Sequence, residues 1–193
     1  MSAFNPQDYQ KLDSHKTSID GLIQFDLIVN GDNRGWFKEN YQKDKLVKLG
    51  LPEGFQIVQN NISFNKTLGA TRGIHAEPWD KFISIGTGSV FAAIVDLRQG
   101  DGFGRIETFT LNPGKAIYVP RGCGNSFQIL EDNTIYTYLV NEFWYPDAIY
   151  TFVNLADPDL AIDWPINLAN VEISDKDRAH PLLKNITPIK NHR

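Results

Sequence analysis

The chain has 193 residues, 41% hydrophobic and 22% charged, with a formal net charge of -4; this fits one globular domain and excludes a disordered chain or a field-driven binder of nucleic acid or anionic membrane. A chain of this length hides on the order of 70% of its unfolded surface and needs no staples; the lone Cys123 excludes an internal disulfide, and four histidines beside it exclude a zinc ribbon. Met1 to Ser14 lacks an apolar signal core and no run of about 18 apolar residues occurs, so a cytoplasmic protein is expected.

Between about Gly21 and Phe152, β-branched and aromatic residues gather in short runs separated by Gly, Pro, Asn and Asp, the pattern of a mostly β chain. The first predicted strand is Leu22 to Val29, ended by a turn at Asn30-Gly31-Asp32-Asn33, and a short helix is predicted over Asp44 to Leu49. Strands are then expected over Phe55 to Val58, Asn61 to Phe64, Arg72 to His75, Phe82 to Ile85 and Val90 to Leu97. Gly86-Thr87-Gly88-Ser89 reads as a hairpin connection between the last two. Ile106 to Leu111, Ala116 to Val119, Ser126 to Leu130 and Thr134 to Val140 complete the set. Even spacing of short strands favours a sandwich, jelly roll or small barrel over a βαβ array. A second helix is expected over Ser174 to Leu183, with Ser174 as cap and Asp175 and Asp177 in its first turn. With no linker in sight, residues 1–193 read as one domain, with a core over about 20–155 and a helix-and-loop extension over 156–193 whose last few residues fray.

Few segments carry chemistry by themselves. Gly100-Asp101-Gly102-Phe103-Gly104 follows a strand, but neither a helix-forming run nor a Lys-Ser/Thr pair comes after it, so it reads as an ordinary loop. The Asn-x-Ser/Thr matches at Asn61, Asn65 and Asn185 would matter only in a secreted protein. There is no His-x-His, and His15, His180 and His192 fall in the terminal regions, so no bound catalytic metal is expected. In a regular strand Arg72 and His75 would face opposite sides, but Gly73 permits a bulge that turns both toward one pocket. Read alone, His75 stays open to a structural, surface or catalytic role. Tyr136 and Tyr138 share one strand face and fit a pair of core tyrosines equally well. Cys123 reads as a small packed residue beside a turn.

In order along the chain, the segments Gly31-Asp32-Asn33-Arg34-Gly35-Trp36-Phe37-Lys38-Glu39, Gln59-Asn60-Asn61, Arg72-Gly73-Ile74-His75 with Lys81, Val95-Asp96-Leu97-Arg98, Val119-Pro120-Arg121-Gly122, Tyr138 before Pro146, Asn154 to Trp164 and Ser174-Asp175-Lys176-Asp177 resemble the dTDP-4-dehydrorhamnose 3,5-epimerase family. Trp-Phe-Lys-Glu and His-Ala-Glu-Pro-Trp-Asp-Lys resemble most the branch found in Gram-positive bacteria. The resemblance implies a cupin-type double-stranded β-helix, an all-β jelly-roll barrel with a few short helices, mainly C-terminal. It implies a cofactor-independent epimerase of a dTDP-4-keto-6-deoxy sugar, and a homodimer with strand exchange. His75 then matches the base, Asp177 the carboxylate that orients it, Tyr138 the acid and Lys81 the residue near the developing enolate. Arg34, Glu39, Gln59, Asn61, Arg72 and Lys176 match substrate-contact positions, with Arg34 and Arg72 on the diphosphate. Phe37 matches an aromatic that reaches into the neighbouring subunit's site. Two substrate positions depart from the common pattern: Asn125 stands where many members have a histidine, and Trp144 where another tyrosine is common. A single-site 3- or 5-epimerase of a related sugar, or a non-catalytic nucleotide-sugar-binding cupin, are the competing readings.

Overall fold

The computed structural model describes residues 4–190. His192 and the expected fraying of the last residues lie outside the described residues. Thirteen strands are present: β1 (Asp13–Lys16), β2 (Ile23–Asp26), β3 (Val29–Asp32), β4 (Gly35–Lys38), β5 (Gln59–Asn65), β6 (Thr71–Ala76), β7 (Lys81–Thr87), β8 (Val90–Asp96), β9 (Ile106–Leu111), β10 (Lys115–Val119), β11 (Cys123–Ile129), β12 (Thr134–Val140) and β13 (Thr151–Phe152). They form a six-stranded sheet ordered β1-β2-β10-β7-β12-β5, a five-stranded sheet ordered β13-β6-β11-β8-β9, and the separate hairpin β3-β4. The pairings within these sheets are antiparallel, as expected of a jelly roll.

Apolar side chains from both sheets meet between them, with Ile83, Ile85, Ile94 and Ile117 fully buried in the central cluster. Burying each is worth about 1.5–3 kcal/mol. The outer face of the six-stranded sheet is covered by the helix α1 (Lys43–Val47) and the loop after it, through Leu46, Leu51 and Phe55. The outer face of the other sheet is covered by the C-terminal segment, through Val153, Leu155 and Leu160 against Ile74, Val95 and Leu97. Fully buried Gln128 pins that segment: its Nε2 donates to the Ile166 carbonyl at 2.9 Å and its Oε1 accepts from Ile166 N at 2.8 Å. This fixes the approach of the short helix α2 (Asp175–Arg178).

Several expectations shift. The predicted strand Leu22 to Val29 divides at Leu27-Ile28, because β2 pairs with β10 whereas β3 leaves to pair with β4. The predicted turn at Asn30 to Asn33 is therefore mostly strand, and the chain reverses at Asn33-Arg34, between the paired Asp32 and Gly35. Phe55 to Val58 is no strand; Phe55 owes its apolar character to packing in the α1 cluster. Gly86 to Ser89 is no hairpin connection either, since β7 and β8 lie in different sheets. Gly88 makes this crossing at φ +76, with Thr134 so close that an added Cβ would meet its Oγ1 at 2.1 Å. The second helix keeps its Ser174 cap but stops at Arg178, three residues before Pro181. Pro181 disfavours helical backbone at His180.

Candidate active site

Along β6 the register against β11 slips: Asn125 faces His75 while Phe127 faces Arg72, so three steps on β6 match two on its partner. The extra residue falls at Gly73-Ile74. Gly73 adopts φ +118 and comes so near Ser126 that an added Cβ would lie 2.5 Å from its Cβ, so only glycine fits. The bulge sends Ile74 into the outer cluster and turns both Arg72 and His75 into the space between the sheets. There they share a cavity of about 190 Å³ with Lys81 at the start of β7, Asn125 on β11, Tyr138 on β12 and Glu77. An open groove of about 800 Å³ adjoins it through Arg72 and His75 and runs beneath Lys176, Asp177 and His180.

His75 Nε2 lies 2.8 Å from Asp177 Oδ1. Asp177 is buried and well held: its own N–H donates to the Ser174 cap at 3.1 Å, and Gly73 N donates to its Oδ2 at 3.5 Å. Asn154 clamps the end of α2 by donating to the Arg178 and His180 carbonyls at 2.9 and 3.1 Å. A histidine on a strand and a carboxylate more than a hundred residues later thus meet by tertiary packing.

Lys81 is buried, and its Nζ sits 2.7 Å from Glu77 Oε2. It also donates to Asn125 Oδ1. Two of its three protons are so engaged, leaving one for the cavity. Burial pushes the Lys81 pKa below the usual lysine range, while the Glu77 carboxylate opposes that shift. The ring of Tyr138 lies 6.0 Å from the ammonium. Burial, assisted by the charge of Glu77, raises the Tyr138 pKa, and Arg72 acts the other way. Its hydroxyl is therefore protonated at neutral pH. Its neighbour Tyr136 is a core residue, 3% exposed and stacked on Phe127 at 4.1 Å. Arg72 is steadied by Asn65, whose Oδ1 accepts from Nε at 3.2 Å.

The other sequence candidates do not line this cavity within one chain. Arg34, at the tip of the β3-β4 hairpin, is exposed and paired with Asp32 at 2.5 Å, so it stands apart from Arg72 rather than beside it. Phe37 is 66% exposed on the same hairpin, and Glu39 after it pairs with Lys45. Gln59 and Asn61 are bonded to each other at 2.8 Å on the edge strand β5, where Asn61 stands opposite Tyr138. Gln59 also accepts from the backbone of exposed Trp144 at 3.2 Å. Asn125, expected at a substrate position, accepts from Lys81 through its oxygen, and its NH₂ has no acceptor among the described residues.

Two residues in the cluster escaped the sequence reading. Glu77 was legible in principle, two positions beyond His75 and four before Lys81. His180, set aside with the terminal histidines, stacks on Phe152 at 4.7 Å, with its ring 5.4 Å from that of His75. Only its place three residues after Asp177 could have pointed to it.

The arrangement offers a base held by a carboxylate, a protonated phenol and a buried ammonium around one small chamber. That suits proton removal next to a carbonyl and proton return. The sequence model for dTDP-4-dehydrorhamnose 3,5-epimerase matches residues 16–185. A protein RmlC homolog of Streptococcus pyogenes serotype M6 is 49% identical over 178 residues, covering 89% of each chain. Among solved structures, RmlC from Streptococcus suis in complex with dTDP-D-xylose superposes with a TM-score of 0.89 at 46% identity, covering 93% of this chain and 95% of that one. The 3,5-epimerase RmlC of Legionella pneumophila in complex with dTDP-4-keto-L-rhamnose gives 0.84 at 29% identity, covering 95% and 100%.

Proposed function

Because the chain belongs to the dTDP-4-dehydrorhamnose 3,5-epimerase family, we propose that His75 and Tyr138 are the opposed base and acid with which it epimerises C3 and C5 of dTDP-4-dehydro-6-deoxy-D-glucose. The product is dTDP-4-dehydro-L-rhamnose, in dTDP-rhamnose biosynthesis. The observation that carries the residue assignment is the His75 and Asp177 pair at 2.8 Å, opening on the same chamber as Lys81 and Tyr138.

Both C3 and C5 are α to the C4 ketone, so each C–H becomes acidic through one shared enolate and one chamber serves two inversions. Asp177 holds one ring nitrogen of His75, fixing the tautomer, and the other nitrogen takes the proton. The imidazolium formed is stabilised by the same carboxylate. As the C–H pair moves into the enolate, negative charge collects on the C4 oxygen. The free N–H of the Lys81 ammonium and the amide of Asn125 donate to it in a site shielded from water. Glu77 keeps that ammonium charged despite its burial. Tyr138 then returns a proton to the opposite face, which inverts the carbon. Each base, acid and stabilising charge is a side chain, so the chemistry calls for no cofactor.

Arg72, Lys176 and Asn125 suit the sugar diphosphate, lining the chamber and its groove. Arg34, Phe37 and Glu39 act from a second copy: the projecting hairpin with its exposed Phe37 supports a strand-exchanged homodimer. Gln59 and Asn61 on β5, the latter paired with Tyr138, and Trp144, whose N–H donates to Gln59, suit contact with the nucleotide side of the ligand. A lone, buried cysteine supports a reducing, cytoplasmic setting, and no described helix is long and apolar enough to cross a membrane.

Incubation with dTDP-4-dehydro-6-deoxy-D-glucose in deuterated water tests the whole scheme. Deuterium should enter both C3 and C5 in the parent protein and neither in His75→Ala. Exchange at one carbon alone would favour a single-site epimerase, and exchange that survives His75→Ala would remove the histidine from the mechanism.

A further inference from the structure

We propose that His75, Asp177 and His180 form a binding site for a zinc-class divalent cation, and that its occupancy switches the enzyme off. Their ligand atoms all lie within 4.8 Å of one another, with Asp177 Oδ1 2.8 Å from His75 Nε2 and 3.8 Å from His180 Nε2. Ligands of a tetrahedral zinc, each about 2.0–2.2 Å from the metal, lie about 3.3 Å apart. The two spacings to Asp177 bracket that value and no pair of ligand atoms is more than 4.8 Å apart, so rotation of the two histidine rings toward each other closes the triad. Two imidazoles and one carboxylate form a donor set that zinc, cobalt and nickel favour over magnesium or calcium.

The ligands are held in place. Asp177 is fixed by the Ser174 cap and Asn154 clamps the turn that carries His180. The His180 ring is stacked on Phe152 at an interplanar angle of 20°. Its Nδ1 is buried without a hydrogen-bond partner among the described residues. The groove of about 800 Å³ over the triad gives an entry path and room for water at a fourth position. Arg72 and Lys176 line the same groove and oppose a cation, so they weaken its binding.

The inhibitory consequence rests on the reading of His75 as the base; the binding does not. A metal on Nε2 takes the electron pair there, and the imidazole proton then sits on the other nitrogen, the one that must receive the proton from the sugar. No carbon bond forms or breaks and the ion is released unchanged by a chelator.

Metal-free protein titrated with zinc chloride against a chromogenic chelator, and separately with cobalt to read its visible absorption, reports the site directly. The deuterium-exchange rate of the same samples reports its effect. One ion per chain should bind, with activity lost at the same midpoint and restored by chelator. His180→Asn, and His180→Phe, which keeps a ring against Phe152, should move the zinc midpoint by about 100-fold, each variant's zinc-free exchange rate serving as its own reference. Absence of stoichiometric binding, or midpoints unmoved in both variants, overturns the site. Binding without loss of activity upholds the site and overturns both its inhibitory effect and the role of His75 as base.

Discussion

Replacing Glu77 with glutamine would keep the shape of the chamber and remove the carboxylate that faces Lys81 at 2.7 Å. Lys81 is only 4% exposed, and burial already pulls its pKa down while Glu77 pulls it up. Losing that carboxylate removes the charge that opposes burial, so the Lys81 pKa falls further. The useful form of Lys81 is the ammonium, present below its pKa and lost as pH rises through it. Glu77→Gln therefore moves the alkaline limit of the reaction toward acid, and between the old and new limits the variant loses about tenfold per pH unit. Because the charge matters to the enolate and not to the resting ketone, kcat falls and KM changes little. Proton magnetic resonance of deuterium exchange at C3 and C5 across a pH series measures this. An alkaline limb that stays where the parent has it, or a loss equal at all pH values, would refute the role given to Glu77.

Tyr138→Phe should keep deuterium wash-in at the carbon faced by His75 while inversion falls by about 10²- to 10⁴-fold; equal loss of both in the same spectra would deny it the acid's part. Asp177→Asn should lower kcat by about 10²- to 10⁴-fold with an unchanged far-ultraviolet dichroism spectrum, and near-parent turnover would show that His75 works without the carboxylate. Gly73→Ala forces a Cβ to within 2.5 Å of Ser126 at φ +118. A cost of about 2 kcal/mol or more should lower the melting temperature by about 4–8 °C, and an unchanged thermal scan would mean that the bulge relaxes. Burial pushes the Cys123 thiol pKa up to about 12, so the native protein should resist iodoacetamide near neutral pH and be alkylated only after unfolding, as intact mass will show.

Runs of β-branched and aromatic residues bounded by Gly, Pro, Asn and Asp made β6 to β12 legible, and several of these strands are buried on both faces, between the sheets and under the segments that cover them. Local signals also carried the Ser174 cap and the bulge that Gly73 allows. Phe55 and Gly86 to Ser89 misled for a common reason. An apolar run does not state whether it pairs or merely packs, and a glycine-rich turn does not state whether the next strand returns beside the last or crosses to the facing sheet. The strand over Leu22 to Val29 broke where its pairing partner changed, which no residue within it announces.

The ordered motifs shared with the epimerase family, and with them the residues proposed as base, acid, orienting carboxylate and enolate-facing lysine, were present in the one-dimensional string. Neither spacing nor composition could say that Asp177 meets His75, since a hundred residues separate them and their contact depends on Gln128 and Asn154 seating the C-terminal segment on the outer sheet. The same seating carries His180 to the histidine and carboxylate, where the string gave only a residue near the end of the chain. Lys81, read as a cation near the enolate, acquired its two tethers, Glu77 and Asn125, only when β7 and β11 were drawn to one chamber. Sequence determines which groups exist and which strand face they occupy; burial and long-range packing decide which of them touch, and so which charge each one keeps.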